Sequence, residues 1–250
     1  MESKTITPQM VAHEIFESLQ QLGNPAKAES LQRFFKHPIV AIGIDTSSLR
    51  RLALEWQRRL KGLLGLKEAV DFCEILMQRP ELKAKAVGLF FLKGFSDHYD
   101  PHFLFVVKSW LIHYCDNWWT VDTLAPSLLS PILERHNDLI PEIITWSSSP
   151  KLWVRRAAVV ALVPLVRENN HLDAAFDISK RLFDDSEDLI HKAVGWLLRE
   201  TGKTDKSRLE SFLLTYGQKI PRTTLRYAIE RFEEKDRKRL LKVTRGKHRH

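Results

Sequence analysis

Apolar positions recur at helical spacing along almost the whole chain. After Pro8 they fall at Met10, Val11, Ile15, Leu19 and Leu22, and Gly23 ends the run. Asn24-Pro25 opens a second predicted helix through Leu31, Phe34 and Phe35, which His37-Pro38 stops. An irregular stretch from Ile39 to Asp45 follows. Thr46-Ser47-Ser48 then reads as the cap of a helix with Leu49, Leu52, Ala53 and Trp56 on one face. Its other face is Arg50, Arg51, Arg58 and Arg59. Further helices are predicted over about 66–78, 81–94, 101–115, 117–129, 138–147, 151–167, 171–182, 187–201, 204–216, 221–231 and 233–242. The breaks carry helix-ending residues: Arg79-Pro80, Gly94, Asp100-Pro101, Ser130-Pro131, Ser149-Pro150, Gly202, Gly217 and Ile220-Pro221. No pair of alternating segments reads as a hairpin.

Antiparallel helix pairs of roughly 35–40 residues, repeated, predict an all-α fold: an α-solenoid of the HEAT or armadillo kind, curved, with a concave basic face. The expected organisation is one repeat domain over 1–234 and a basic C-terminal tail over 235–250.

Composition narrows the function classes. The chain has 250 residues, 44% of them apolar, enough to bury a sizeable core. No apolar run approaches the roughly 18 residues of a membrane helix. Met1 to Gln9 is polar and carries no signal-peptide pattern. Cys73 and Cys115 have no metal spacing and read as buried free thiols in a reducing compartment. The expectation is a cytoplasmic monomer with no cofactor and no membrane partner.

The net charge is +8, and its distribution is uneven. From residue 151 onward there are 23 basic and 14 acidic side chains, against 16 and 17 before it. Such asymmetry points to a polyanion on one side of the molecule, or else to a solvated surface with a basic tail.

The segment with chemistry in it is Trp118-Trp119-Thr120-Val121-Asp122. Trp118 and Asp122 stand four apart and share a helix face. The carboxylate has Val121, Leu124, Leu128 and Leu129 around it in sequence. There it is costly unless paired, open to a cleft, or used. A lone tryptophan at helical spacing is more often core, and Trp119 and Trp153 are assigned there. Asp122 could equally be a cap or surface acid, and Arg156 its ordinary ion-pair partner.

Three segments in order then carry a resemblance. They are Asn117-Trp118-Trp119-Thr120-Val121-Asp122, Leu152-Trp153-Val154-Arg155-Arg156-Ala157-Ala158, and Lys192-Ala193-Val194-Gly195-Trp196-Leu197-Leu198-Arg199-Glu200. With Ile220-Pro221-Arg222-Thr223-Thr224-Leu225-Arg226 behind them, the set resembles the AlkD-type DNA alkylation repair glycosylases over roughly 30–235. The resemblance implies a HEAT-like repeat fold that hydrolyses the N-glycosidic bond of purines alkylated at ring nitrogen three or seven. It implies a site made of Trp118, Asp122, Arg156 and Trp196.

The residue types suit that chemistry on their own terms. An alkylated purine is cationic and already an activated leaving group. A fixed carboxylate stabilises the oxocarbenium-like sugar and orients water. Indole faces attract the cationic base, and the Arg156 guanidinium suits either a phosphate of the lesion strand or Asp122. Duplex DNA needs cations along the backbone, for which Arg155, Arg156, Lys192, Arg222, Arg226 and the tail from Lys235 are the candidates. Two other classes compete: a non-catalytic HEAT-like binder of damaged or branched DNA, and a protein-binding scaffold without salt-dependent DNA affinity.

Overall fold

The structure is a computed structural model and describes residues 6–244. Among these, the regular elements are helices, with one isolated parallel bridge between Val40 and Glu81. The chain divides into two compact units, Met1–Ile132 and Leu133–His250.

The first unit runs α1 (Pro8–Leu22), α2 (Pro25–Gln32), α3 (Thr46–Leu60), α4 (Leu66–Met77), α5 (Leu82–Lys93), α6 (Phe103–His113) and α7 (Trp118–Leu124). Capping follows the sequence closely. The Thr7 side chain accepts from Met10 N, and Asn24 does the same for Lys27 N with Pro25 at the first helical position. The cap of α3 is Asp45 rather than the Thr46-Ser47-Ser48 run, because its carboxylate accepts from Ser48 N at 2.8 Å. That bond, with the one from the Ser47 hydroxyl, holds the Asp45 carboxyl well below its ordinary range. Helix α5 is the centre of the unit. It packs on α3, α4 and α7, and every residue from Leu82 to Leu89 is buried. Helix α2 ends at Gln32, earlier than His37-Pro38 predicts. Phe34 and Phe35 therefore leave the helix, and Phe34 is 70% exposed.

After α7 the chain continues through a π-helical turn, Ala125–Leu129, into α8 (Ser130–Arg135). Ser130-Pro131 does not end the helix as expected; α8 continues directly from the π-helical turn, with Pro131 as its second residue. The π-turn contains Pro126, whose missing N–H suits the looser ladder.

The second unit continues with α9 (Ile140–Thr145), α10 (Leu152–Arg167), α11 (Leu172–Arg181), α12 (Asp188–Thr204), α13 (Lys206–Tyr216), α14 (Arg222–Ala228) and α15 (Glu234–Val243). Helices α10, α12 and α14 pack side by side as one layer; α9, α11, α13 and α15 form the other. This is the two-layered stacking that the repeated helix pairs predict. Between α10 and α11 the turn uses Asn169 and His171 in the left-handed region, with no glycine present. The basic segment expected at 235–250 begins as helix α15. Leu240 is fully buried, Lys206 pairs with Asp236, and Glu210 pairs with Arg239. Its remainder, with Arg245, Lys247 and Arg249, lies outside the described residues.

Candidate functional site

In the first unit the candidate residues stand on α7. Its entry is shaped by Asn117, whose Oδ1 accepts from Thr120 N at 2.9 Å and from the Thr120 hydroxyl at 3.2 Å. Asn117 in turn donates from Nδ2 to Asp116 at 2.6 Å. Val121 and Leu124 are buried and anchor one side of the helix. Trp118 and Asp122, one turn apart, are each half-buried on another side. The Trp118 ring is stacked on Phe35, with centroids 5.3 Å apart and planes 16° from parallel. The neighbouring indole has a different partner: the Lys83 ammonium lies 4.1 Å from the Trp119 ring centroid. This separates the two tryptophans by role. Trp119 presents a face to an internal cation, whereas Trp118 belongs to an aromatic pair with the exposed Phe34 beside it in the chain. Sequence patterning assigns both phenylalanines to a helix face; the early end of α2 releases them, and no residue between Gln32 and His37 signals it.

In the second unit the candidates stand on the α10–α12–α14 layer. Arg156 is only 5% exposed, and its Nη1 donates to Leu189 O at 2.5 Å, tying α10 to the first turn of α12. Helix α12 carries Asp188, Lys192 and Trp196 at successive turns on one face. Lys192 Nζ pairs with Asp188 at 2.8 Å, and this bond holds the Asp188 carboxyl low and pushes the Lys192 ammonium up. Trp196 is half-buried. Its neighbour Gly195 is a close-approach position: a Cβ there would fall 2.4 Å from Tyr227 Cβ and 2.8 Å from Thr224 O. The glycine lets α14 lie against α12, and the Thr224 hydroxyl donates to His191 O at 2.9 Å across that contact.

The other expected DNA-contact cations of this layer divide. Arg155 is engaged internally, donating to Asp185 from Nε at 2.6 Å and Nη2 at 3.3 Å, and from Nη1 to Ser149 O at 2.9 Å. Arg222 donates to Thr244 Oγ1 and Leu241 O, each at 3.1 Å, and so joins α14 to α15. Lys192 is in its ion pair but has a 40% exposed side chain, and Arg226 is exposed beside Tyr227.

Among the described residues no group of three or more His, Cys, Asp or Glu is placed to hold a metal ion, and no helix is long and apolar enough to cross a membrane.

Residues 15–232 match the model of a family described as DNA alkylation repair enzyme. The chain belongs to that family. Its role is therefore in the repair of alkylated DNA. Solved structures agree on the fold. A protein described as a predicted DNA alkylation repair enzyme from Enterococcus faecalis aligns with a TM-score of 0.74 at 18% identity, over 85% of this chain and 97% of that one. AlkD2 from Streptococcus mutans aligns with a TM-score of 0.55 at 16% identity, over 92% and 97%. The protein smu.31 from Streptococcus mutans UA159 gives 0.51 at 16% identity, over 95% and 96%. No curated protein matches the sequence.

Proposed function

We propose that the chain is a monofunctional DNA glycosylase that hydrolyses the N-glycosidic bond of cationic alkylated purines, of the 3-methyladenine and 7-methylguanine type, in duplex DNA. The observation that carries this reading is the pairing on α7. An indole backed by a second aromatic ring and a carboxylate one turn away stand together in a member of an alkylation repair family.

The chemistry assigned to them is heterolysis. The bond between the sugar carbon and the purine nitrogen breaks, its electrons neutralise the cationic base, and the sugar is left as an oxocarbenium-like species. Asp122 stabilises that developing charge and accepts a proton from the water that adds to it. The leaving base needs no protonation, so no general acid is assigned. Trp118 and Trp196 offer π faces to the cationic base, each worth about 0.5–2 kcal/mol. Arg156 is assigned a phosphate of the lesion strand, which its guanidinium suits. Lys192 and Arg226 take the backbone phosphates, while Arg155 and Arg222 hold helices together. Selectivity then rests on the lesion's own charge, and neutral adducts are poor substrates.

The test is incubation with methylated duplex DNA and assay of the released bases. Release of methylated purines by the wild type and not by Asp122→Asn is expected. Salt-sensitive binding without release would leave a non-catalytic reader of damaged or branched DNA. Absence of salt-dependent DNA affinity would leave a protein scaffold.

A further inference from the structure

Two lysines lie in the buried stretch of α5, and both hold the segment that leads into α7. Lys85 is 5% exposed and donates from Nζ to Tyr114 O at 2.5 Å, at the end of α6. Lys83 is 4% exposed, and its Nζ sits on the face of Trp119. A buried ammonium ordinarily has a carboxylate partner. Among the described residues Lys83 has none within ion-pair distance. Of the elements packed on α5, α3 brings Asp45 at its cap, whose field favours the ammonium. Helix α4 brings Glu74, which instead accepts from Tyr114 Oη at 3.0 Å. The ionisable side chain of α7 is Asp122, one turn beyond Trp118.

We infer that Lys83 is a positioning residue: its ammonium seats the half-buried Trp119 against α5 and thereby fixes the rotation of α7 that presents Trp118 and Asp122. Consecutive residues of a helix point about 100° apart, so locking one indole orients the other. A cation selects the indole face, where an apolar side chain would only fill the space. Burial pushes the Lys83 ammonium down to about 8 from its ordinary 10.5. Between those values the unfolded chain binds the proton that the folded chain does not, so stability rises with pH across that window. At neutral pH the charge therefore costs the fold stability. A residue that served packing alone would not carry that cost.

The inference rests on the glycosylase reading only for what Trp118 and Asp122 do; the seating of Trp119 is measurable without it. The experiment compares wild type, Lys83→Met and Lys83→Arg. Wild-type tryptophan emission, followed from about pH 6 to pH 10, is expected to change with a midpoint near 8, and Lys83→Met to lose that change. Lys83→Met is expected to melt at or above the wild-type temperature at pH 7, yet to bind methylated duplex roughly fivefold more weakly, with Lys83→Arg restoring binding. Weaker binding matched by a lower melting temperature would make Lys83 merely structural and overturn the inference. Unchanged binding in Lys83→Met, or wild-type emission flat across the range, would overturn it too. Should Lys83→Met not fold, the wild-type titration and Lys83→Arg decide alone. A wild type that releases no methylated base sinks the glycosylase reading and leaves the emission and melting results standing.

Discussion

The Phe35 ring lies 5.3 Å from the Trp118 ring and 16° from parallel to it. The stack joins the turn after α2 to the first residue of α7, two places far apart in sequence, and it braces the indole assigned to the cationic base. Parallel aromatic pairs of this kind contribute about 0.5–1.5 kcal/mol beyond burial. Phe35→Ala is expected to weaken binding of methylated duplex several-fold while leaving affinity for undamaged duplex unchanged. Fluorescence anisotropy on matched duplexes measures both. Equal losses on the two would assign Phe35 to general DNA affinity or to folding.

Arg155 tests the division between structural and DNA-facing cations. Its two-point pair with Asp185 has side chains only 14% and 6% exposed. Removing one partner strands the other, which costs about 3 kcal/mol for a pair this buried. Arg155→Ala should therefore lower stability in chemical denaturation, and its effect on the salt slope of DNA binding should be nil. Arg226→Ala should do the reverse, reducing the slope of log K against log salt by about 0.9. A full unit of slope lost in Arg155→Ala would return that residue to the DNA face.

Gly195→Ala addresses the layer that carries Trp196. The added Cβ would meet Tyr227 Cβ at 2.4 Å and the Thr224 backbone oxygen at 2.8 Å, and backbone cannot step aside as a flexible side chain can. The expected loss is about 2–3 kcal/mol of stability. Lesion binding should fall as well, since α14 must shift away from α12. Thermal melting and binding at a temperature where the variant is folded separate the two effects.

The second unit also has a defined acid sensitivity. Glu200 is 1% exposed and accepts from Arg167 at 2.9 Å and Lys203 at 2.7 Å. Burial pushes its carboxyl up, but the hydrogen bonds from Lys203 and Arg167 outweigh it and hold the group below its ordinary 4.5. A depressed carboxyl stabilises the fold above 4.5, and that contribution is lost as pH falls through the folded value. Glu200→Gln should cost about 2 kcal/mol at pH 7, discounted for the half-exposed partners. The gap to wild type should narrow as pH falls below 4.5 in denaturant titrations.

Much of this was legible in the sequence because helices announce themselves by period and by cap. The expected run 151–167 is observed as Leu152–Arg167, and 204–216 as Lys206–Tyr216. The family match over 15–232 agrees with the resemblance seen in the Trp118, Arg156 and Trp196 segments. What could not be read is long-range pairing. Nothing local tells that Arg155 meets Asp185, that Lys83 meets Trp119, or that Arg222 meets the end of α15. Those partners lie about 20 to 36 residues away along the chain. Phe34 was unreadable for a different reason: its spacing fits a helix that stops two residues too soon. The break between α10 and α11 was expected, but not that Asn169 and His171 would take the left-handed region there.

The most direct measurement is single-turnover release of methylated purines from alkylated duplex by wild type and Asp122→Asn, with duplex affinity determined on the same preparations. The proposed chemistry requires release to fall by orders of magnitude in the variant while affinity stays within a few-fold of wild type. Release from Asp122→Asn at the wild-type rate would contradict the role given to that carboxylate, and with it the glycosylase proposal.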